Sequence, residues 1–242
     1  MKKMNVILAI VLSIILQNSI LAQDSKTKQE GITFETFEIK LKQASPNPQL
    51  IDARTAEEYK LNHLKGAVQV DITNEADLQK LIDKLDKKKP VFAYSINNGR
   101  STTLVKKLKA LNFEAYDLPG GISKWVGMGR PVESTVGSGL SSADYQKLIE
   151  SDKLVLVDVQ SKFCGGCKRL APVVDSVAHE KSDVLKVVSI ELFDNKQLGK
   201  ELNIESLPTL ILYKGNKIVW RKNGLISKAN IEEAIKQEIA MK

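Results

Sequence analysis

Cysteine is nearly absent from this 242-residue sequence: Cys164 and Cys167 are the two, and they share one four-residue window. A framework of structural disulfides is thereby excluded, because a bond between residues three apart closes a tiny loop and removes little unfolded-state entropy. Such a pair suits a bond that is made and broken. Histidine is equally scarce, at two. Tetrahedral zinc needs four ligands, and His63 and His179 stand in different halves of the chain, which argues against a metal at the cysteines. Aromatic residues make up 5%, too few for a platform that stacks single-stranded bases. Glycine (14) and proline (7) are ordinary in number, so collagen-like and low-complexity chains are excluded as well.

What is present fits a packed protein. Apolar residues reach 43% and charged residues 27%; at this length the chain makes one large domain or two modest ones. The net charge of +7 is spread thinly. Its densest run, Lys87-Lys88-Lys89 with Lys84, reads as a solvated helix end, and no motif supports a nucleic-acid partner. No long hydrophobic run occurs. Val6 to Leu16 would span about 16 Å as a helix, against roughly 30 Å of bilayer hydrocarbon. It follows Met1-Lys2-Lys3-Met4 and leads to Ile20-Leu21-Ala22, the pattern of a secretory signal peptide over residues 1–22, although Ile20 is not the small residue expected at its position. Cleavage after Ala22 leaves no cysteine to carry a lipid and no stable membrane insertion. The expected location is bacterial and periplasmic, or secreted.

Beyond a polar stretch at 23–30, strands and helices alternate. Helices are expected at Phe34–Gln43, Thr55–Tyr59, Asp77–Leu85, Ser101–Leu111 and from Ile122, with strands at Gln49–Ala53, Ala67–Asp71, Val91–Tyr94 and Glu114–Leu118. Glu133 to Gly139 reads as a linker between a first domain at 31–132 and a second at 140–242. There, Ser141 or Ser142 caps a helix to Glu150. Strands follow at Leu154–Val159 and Leu185–Glu191, with helices at Cys167–His179, interrupted or kinked at Pro172, and at Lys196–Leu202. A hairpin turns at Lys214-Gly215-Asn216-Lys217, and a final helix spans Asn230–Ala240, with Asn230 and Glu233 as a capping pair. The class is α/β, and the alternation in the first domain implies a mainly parallel sheet covered on both faces.

Cys164-Gly165-Gly166-Cys167 follows a buried strand and opens a helix. Unpaired N–H groups and the helix dipole at that tip stabilise an anion, so the thiol pKa falls from about 8.5 to near neutrality or below. A second thiol two residues on is placed to attack a mixed disulfide formed by the first. The wider run Val155 to Pro172, with Leu207-Pro208-Thr209, Lys214-Gly215-Asn216 and Gly224, resembles the thioredoxin family over residues 140–242. The resemblance implies a thioredoxin fold with Cys164 as nucleophile, Cys167 as resolving thiol, Asp158 as the buried carboxylate behind them and Pro208 as the cis-proline beside them. A cis bond there would turn the Leu207 backbone toward the sulfurs, where it pairs with an extended substrate segment. The residues alone leave Asp158 open between this role and a strand-end acid paired with lysine, and Pro208 open between a cis bond and an ordinary trans turn. Gly166 stands where the family usually has proline, and Gln160 and Phe163 where it usually has tryptophan.

In the first half, Leu50-Ile51-Asp52-Ala53-Arg54-Thr55-Ala56-Glu57-Glu58-Tyr59, His63-Leu64-Lys65-Gly66-Ala67 and Pro119-Gly120-Gly121-Ile122-Ser123-Lys124-Trp125 resemble the rhodanese family over residues 31–132. That family carries a persulfide on a cysteine in a loop ending Arg-Ser. Here the loop is Ser95-Ile96-Asn97-Asn98-Gly99-Arg100-Ser101, and the cysteine position holds Ser95, which forms no stable persulfide. Asn98 replaces a usual glycine, while Arg100 is retained. The expectation is an exported thiol–disulfide oxidoreductase preceded by a rhodanese-like module without sulfurtransferase activity, kept for binding or scaffolding. It acts on protein thiols and disulfides, draws electrons from a redox partner protein and needs no dissociable cofactor. The alternatives are a redox-sensing or client-recruiting binding protein, and a sulfur carrier using a Cys164 persulfide.

Overall fold

The computed structural model describes residues 31–137 and 139–240. The leader expected at 1–22 and the polar stretch at 23–30 lie outside the described residues. Helix α1 (Phe34–Gln43) starts where the Thr33 hydroxyl accepts the Thr36 N–H at 3.1 Å, and it buries Phe34 and Phe37. Strand β1 (Gln49–Asp52) follows, then α2 (Ala56–Leu61). This helix opens on a capping box. Thr55 Oγ1 accepts the Glu58 N–H, and the Glu58 carboxylate accepts the Thr55 N–H at 3.0 Å. Next come β2 (Asn62–His63), β3 (Val68–Gln69), α3 (Glu75–Ile82), β4 (Val91–Tyr94), α4 (Gly99–Ala110), β5 (Ala115–Asp117) and α5 (Gly121–Gly127).

Strands β3, β1, β4 and β5 lie side by side in that order, all parallel. Every residue of β4 is buried, and its side chains alternate between two cores. Val91 and Ala93 join Leu78, Leu104 and Leu108 on one face, while Phe92 and Tyr94 join Phe37, Leu118 and Ile122 on the other. His63 belongs to β2. Its ring stacks on Tyr59 at 3.8 Å, and its Nε2 lies 3.0 Å from Glu133.

The stretch read as a linker is tied down along the part described. Strand β6 (Glu133–Ser134) pairs antiparallel with β2, and Lys196 Nζ donates to the carbonyls of Val136 and Gly137 at 3.0 Å each. Beyond it come α6 (Ser142–Ile149), capped by the Ser141 hydroxyl, β7 (Leu154–Gln160), α7 (Gly165–Glu180), β8 (Leu185–Glu191), α8 (Lys196–Glu201), β9 (Thr209–Lys214), β10 (Lys217–Asn223) and α9 (Lys228–Ala240).

The second sheet runs β10-β9-β7-β8. Its β7–β8 pair is parallel, while β9 runs antiparallel both to β7 and to β10, to which a tight hairpin joins it. Pro172 lies inside α7 without ending it. Helix α9 begins two residues before the expected Asn230, because Ser227 Oγ accepts the Asn230 N–H at 3.3 Å.

One apolar cluster runs through both halves. It joins Phe92, Ile122 and Val126 to Leu192, Leu198, Ile204 and Leu207. Close approach of backbones makes this possible: a Cβ on Gly127, the last residue of α5, would lie 1.7 Å from the Ile204 carbonyl oxygen.

Candidate active site

Strand β7 is an inner strand of the second sheet, flanked by β8 and β9. Its side chains alternate. Val155, Val157 and Val159 enter the cluster shared by both halves, while Leu154 and Leu156 pack against Leu170, Val174 and Ile235. Asp158 continues the second face, where an apolar residue would be expected, and is only 7% exposed. Its Oδ1 is buried with no hydrogen-bond partner among the described residues. Burial first, and the nearby Asp175 charge second, push its carboxyl up from the usual 3.8 to about 6.

Past the end of β7, the Ser161 carbonyl accepts the Cys164 N–H at 2.9 Å and turns the chain into α7. Cys164 is the N-cap of that helix, with extended φ and ψ of −81° and 112°. Its Sγ accepts the Cys167 N–H at 3.2 Å, so the sulfur takes the place an oxygen fills in an ordinary cap. Both cysteines are buried free thiols. The Cys167 thiol, the backbone N–H groups of Cys167 and Gly166 and the charge of Arg169 outweigh burial and bring Cys164 down from 9.0 to about 7. The same pairing with Cys164, together with burial and the Asp158 charge, pushes Cys167 up. One sulfur of the pair is thus disposed to ionise and the other to keep its proton.

The Leu207–Pro208 bond is cis, and it leads into β9. A Cβ on Gly166 would lie 3.2 Å from Pro208 Cδ, 3.7 Å from Cys164 Sγ and 3.9 Å from the Leu207 carbonyl oxygen. The proline, the glycine and the Cys164 sulfur therefore meet at one point. Cys164, Cys167, Asp158 and Pro208 come from three separate stretches of sequence, and the fold brings them to one end of β7.

The rhodanese-like loop faces the same place. A cleft of about 580 Å³ is lined by Ser95, Ile96, Asn97 and Arg100 on one side and by Phe163, Cys164, Arg169 and Pro208 on the other. Ser95 Oγ lies 3.0 Å from Ser101 Oγ, a hydroxyl rather than a base. The guanidinium of Arg100 is bound in bidentate fashion by Glu58 at 2.6 Å for each oxygen. Asn98 needs no glycine-like backbone: its φ is −128°, and its amide instead holds the Leu118 carbonyl and the Gly120 N–H, each at 2.8 Å. The Asp and Arg of the Leu-Ile-Asp-Ala-Arg run form a buried pair, Asp52 Oδ2 to Arg54 Nη2 at 2.7 Å, that fixes the end of β1. Among the described residues no group of three His, Cys, Asp or Glu side chains stands where it could hold a metal ion.

Three residues escaped the sequence reading. Glu58 carried a usable signal, the Thr-x-x-Glu capping box. Arg169 and Asn97 carried none, because each acquires meaning only from a neighbour supplied by the fold.

The fold and the paired sulfurs define a protein of the thioredoxin class behind a rhodanese-like one. Residues 138–237 match the Thioredoxin family model and residues 37–128 the Rhodanese-like domain model. Thioredoxin 1 of Nostoc sp. is 33% identical over 94 residues, which cover 39% of this chain and 88% of that protein. The thioredoxin of Porphyra purpurea is 36% identical over 95 residues, 39% of this chain and 89% of that protein. The crystal structure of the germline-specific thioredoxin Deadhead from Drosophila melanogaster aligns with a TM-score of 0.37 at 25% identity, covering 42% of this chain and 98% of that one. The chain belongs to the thioredoxin family through its second domain, with a rhodanese-like domain ahead of it.

Proposed function

We propose that this protein is a thiol–disulfide oxidoreductase in which Cys164 attacks and Cys167 resolves. The observation that carries the reading is the Cys164 sulfur seated as the N-cap of α7, accepting the Cys167 N–H at 3.2 Å, with its pKa brought to about 7. The Cys164 thiolate attacks one sulfur of a disulfide R–S–S–R′; a new S–S bond forms, the old one breaks, and R′S⁻ leaves. The Cys167 thiol then gives up its proton, which the Asp158 carboxylate accepts, and attacks Cys164. RS⁻ leaves, and the Cys164–Cys167 disulfide holds the two oxidising equivalents. A dithiol redox partner returns the pair to the reduced state.

The front module has no part in the chemistry on this reading. Ser95 meets another hydroxyl rather than a base, and a serine oxygen carries no persulfide. Reduction of insulin disulfides by the full chain tests the proposal. Activity is expected in the wild type and lost in Cys164→Ser, while Cys167→Ser accumulates a mixed disulfide on Cys164. A Cys164→Ser protein that reduces insulin as well as the wild type would overturn the reading. The same Cys164→Ser sample should transfer no sulfur from thiosulfate to cyanide.

A further inference from the structure

Leu207 and Asn97 stand 110 positions apart in sequence, yet the Asn97 side chain is matched to the Leu207 main chain. Asn97 Nδ2 donates to the Leu207 carbonyl at 2.8 Å, and Asn97 Oδ1 accepts the Leu207 N–H at 3.2 Å. A primary amide used in this way satisfies both main-chain polar groups of one residue, as the paired residue of an adjacent strand does. Leu207 is also the residue whose backbone an extended substrate segment would engage beside the sulfur. Its carbonyl borders the point at Gly166 that lies 3.7 Å from Cys164 Sγ. The amide therefore occupies the hydrogen-bonding edge that a polypeptide needs.

The loop presents Asn97 from a fixed backbone. The Ser95 carbonyl accepts the Ile122 N–H at 2.9 Å, and the Ile96 carbonyl accepts the Ser123 N–H at 3.0 Å and the Ser123 hydroxyl at 2.8 Å. Gly121, at φ +60°, lets α5 start directly under the loop, since a Cβ there would lie 2.0 Å from the Asn97 carbonyl oxygen. The Asn97 side chain is thus held against the Leu207 edge. The cleft measures about 580 Å³ beside Cys164, with Arg169 on one side and the Glu58-paired Arg100 on the other. That space takes a small molecule without displacing the amide.

We propose that Asn97 is a specificity-determining residue that closes the Leu207 main chain to extended polypeptides, so that Cys164 reacts with small disulfides in preference to disulfides within protein segments. The proposal rests on the oxidoreductase reading above. A small disulfide needs no strand pairing: Cys164 attacks one sulfur, the S–S bond breaks, the first thiolate leaves, and Cys167 displaces the second as the internal disulfide closes. Two electrons pass from the cysteine pair to the substrate. A polypeptide disulfide must first separate the Asn97 amide from Leu207.

Single-turnover oxidation of the reduced full-length chain tests this, with 5,5′-dithiobis(2-nitrobenzoate) and insulin as the two disulfides and acid-quenched thiol labelling as the readout. Loss of two competing hydrogen bonds should raise the ratio of the insulin rate to the small-disulfide rate by about tenfold in Asn97→Ala. Asn97→Asp keeps the acceptor but sets a carboxylate against the Leu207 carbonyl, and it should raise the ratio in the same direction. A ratio that stays at the wild-type value in both variants, whether the two rates hold or move in parallel, overturns the proposal, because folding or Cys164 reactivity would change both rates alike. If neither disulfide oxidises the wild-type chain, the oxidoreductase reading itself falls and takes the proposal with it.

Discussion

Asp158 shows how one buried carboxyl is held at the expense of stability. It occupies a position on β7 whose face otherwise carries Leu154 and Leu156, and its Oδ1 finds no partner among the described residues. Its carboxyl is held up at about 6 by burial and by Asp175, against 3.8 unperturbed. The sign follows directly. The folded chain binds this proton more tightly than the unfolded chain does, so the contribution of Asp158 to stability is fully present below pH 3.8 and is lost as the pH rises through about 6. An asparagine in its place would not titrate. Between pH 3 and pH 8, urea unfolding should therefore show the stability difference moving in favour of Asp158→Asn by roughly 3 kcal/mol, since two pKa units are worth about that much. A difference that does not vary with pH would show that Asp158 titrates normally. On the proposed mechanism the same substitution removes the acceptor for the Cys167 proton, so the resolving step should slow while attack by Cys164 is spared.

Residues that act on near neighbours in the chain were legible in the sequence. The pair Cys164 and Cys167 sits within one helical turn, and a strand entering a helix is enough to place it. Asn97 was not legible, because its partner is fixed by the packing of two modules rather than by any local pattern.

Among the elements, two strands were read to the residue: the apolar run Val91–Tyr94 coincides with β4, and Leu185–Glu191, in which Lys186, Ser189 and Glu191 interrupt the apolar residues, with β8. The two-residue strands β2 and β6 have no periodicity to detect, and they exist only because the chain returns past Leu61 after α5. The meeting of α5 with the segment before Pro208 was hidden for the same reason, since a glycine in a sequence does not say what backbone approaches it. Here Gly127 admits the Ile204 carbonyl to within 1.7 Å of its missing Cβ, and it lies at an ordinary negative φ. Gly127→Ala thus suits α5 locally and fails only through this contact. Either α5 or residues 204–208 must shift by more than an ångström, and overpacking of this kind costs about 1–3 kcal/mol. The urea midpoint should fall with an unchanged slope, and insulin reduction should fall with it, because the displaced segment carries Leu207 and Pro208. An unaltered midpoint would mean that the two backbones separate freely.

For the molecule as a whole, the question is whether the halves stand alone. The visible cross-link of charge, Lys162 to Glu57 at 3.4 Å, is exposed at both ends and contributes little. The stronger link is apolar. Ile122 and Val126 of α5 share a cluster with Leu198, Ile204 and Leu207, and all five are nearly or fully buried. Fully burying one such side chain stabilises by about 1.5–3 kcal/mol relative to exposure. A front module deprived of its neighbour exposes several at once, a loss comparable with the roughly 5–15 kcal/mol that holds a typical domain folded. Residues 32–240 should therefore melt as one unit. In scanning calorimetry we expect a single transition whose calorimetric and van't Hoff enthalpies agree. Cleavage at a protease site placed at Gly137 should leave the two fragments eluting together, since the shared cluster does not depend on the chain running through that point. Two resolved transitions, or fragments that separate after the cut, would show that the modules are joined mainly by the chain. The face that Asn97 presents to Leu207 would then be one arrangement among several rather than a fixed part of the site.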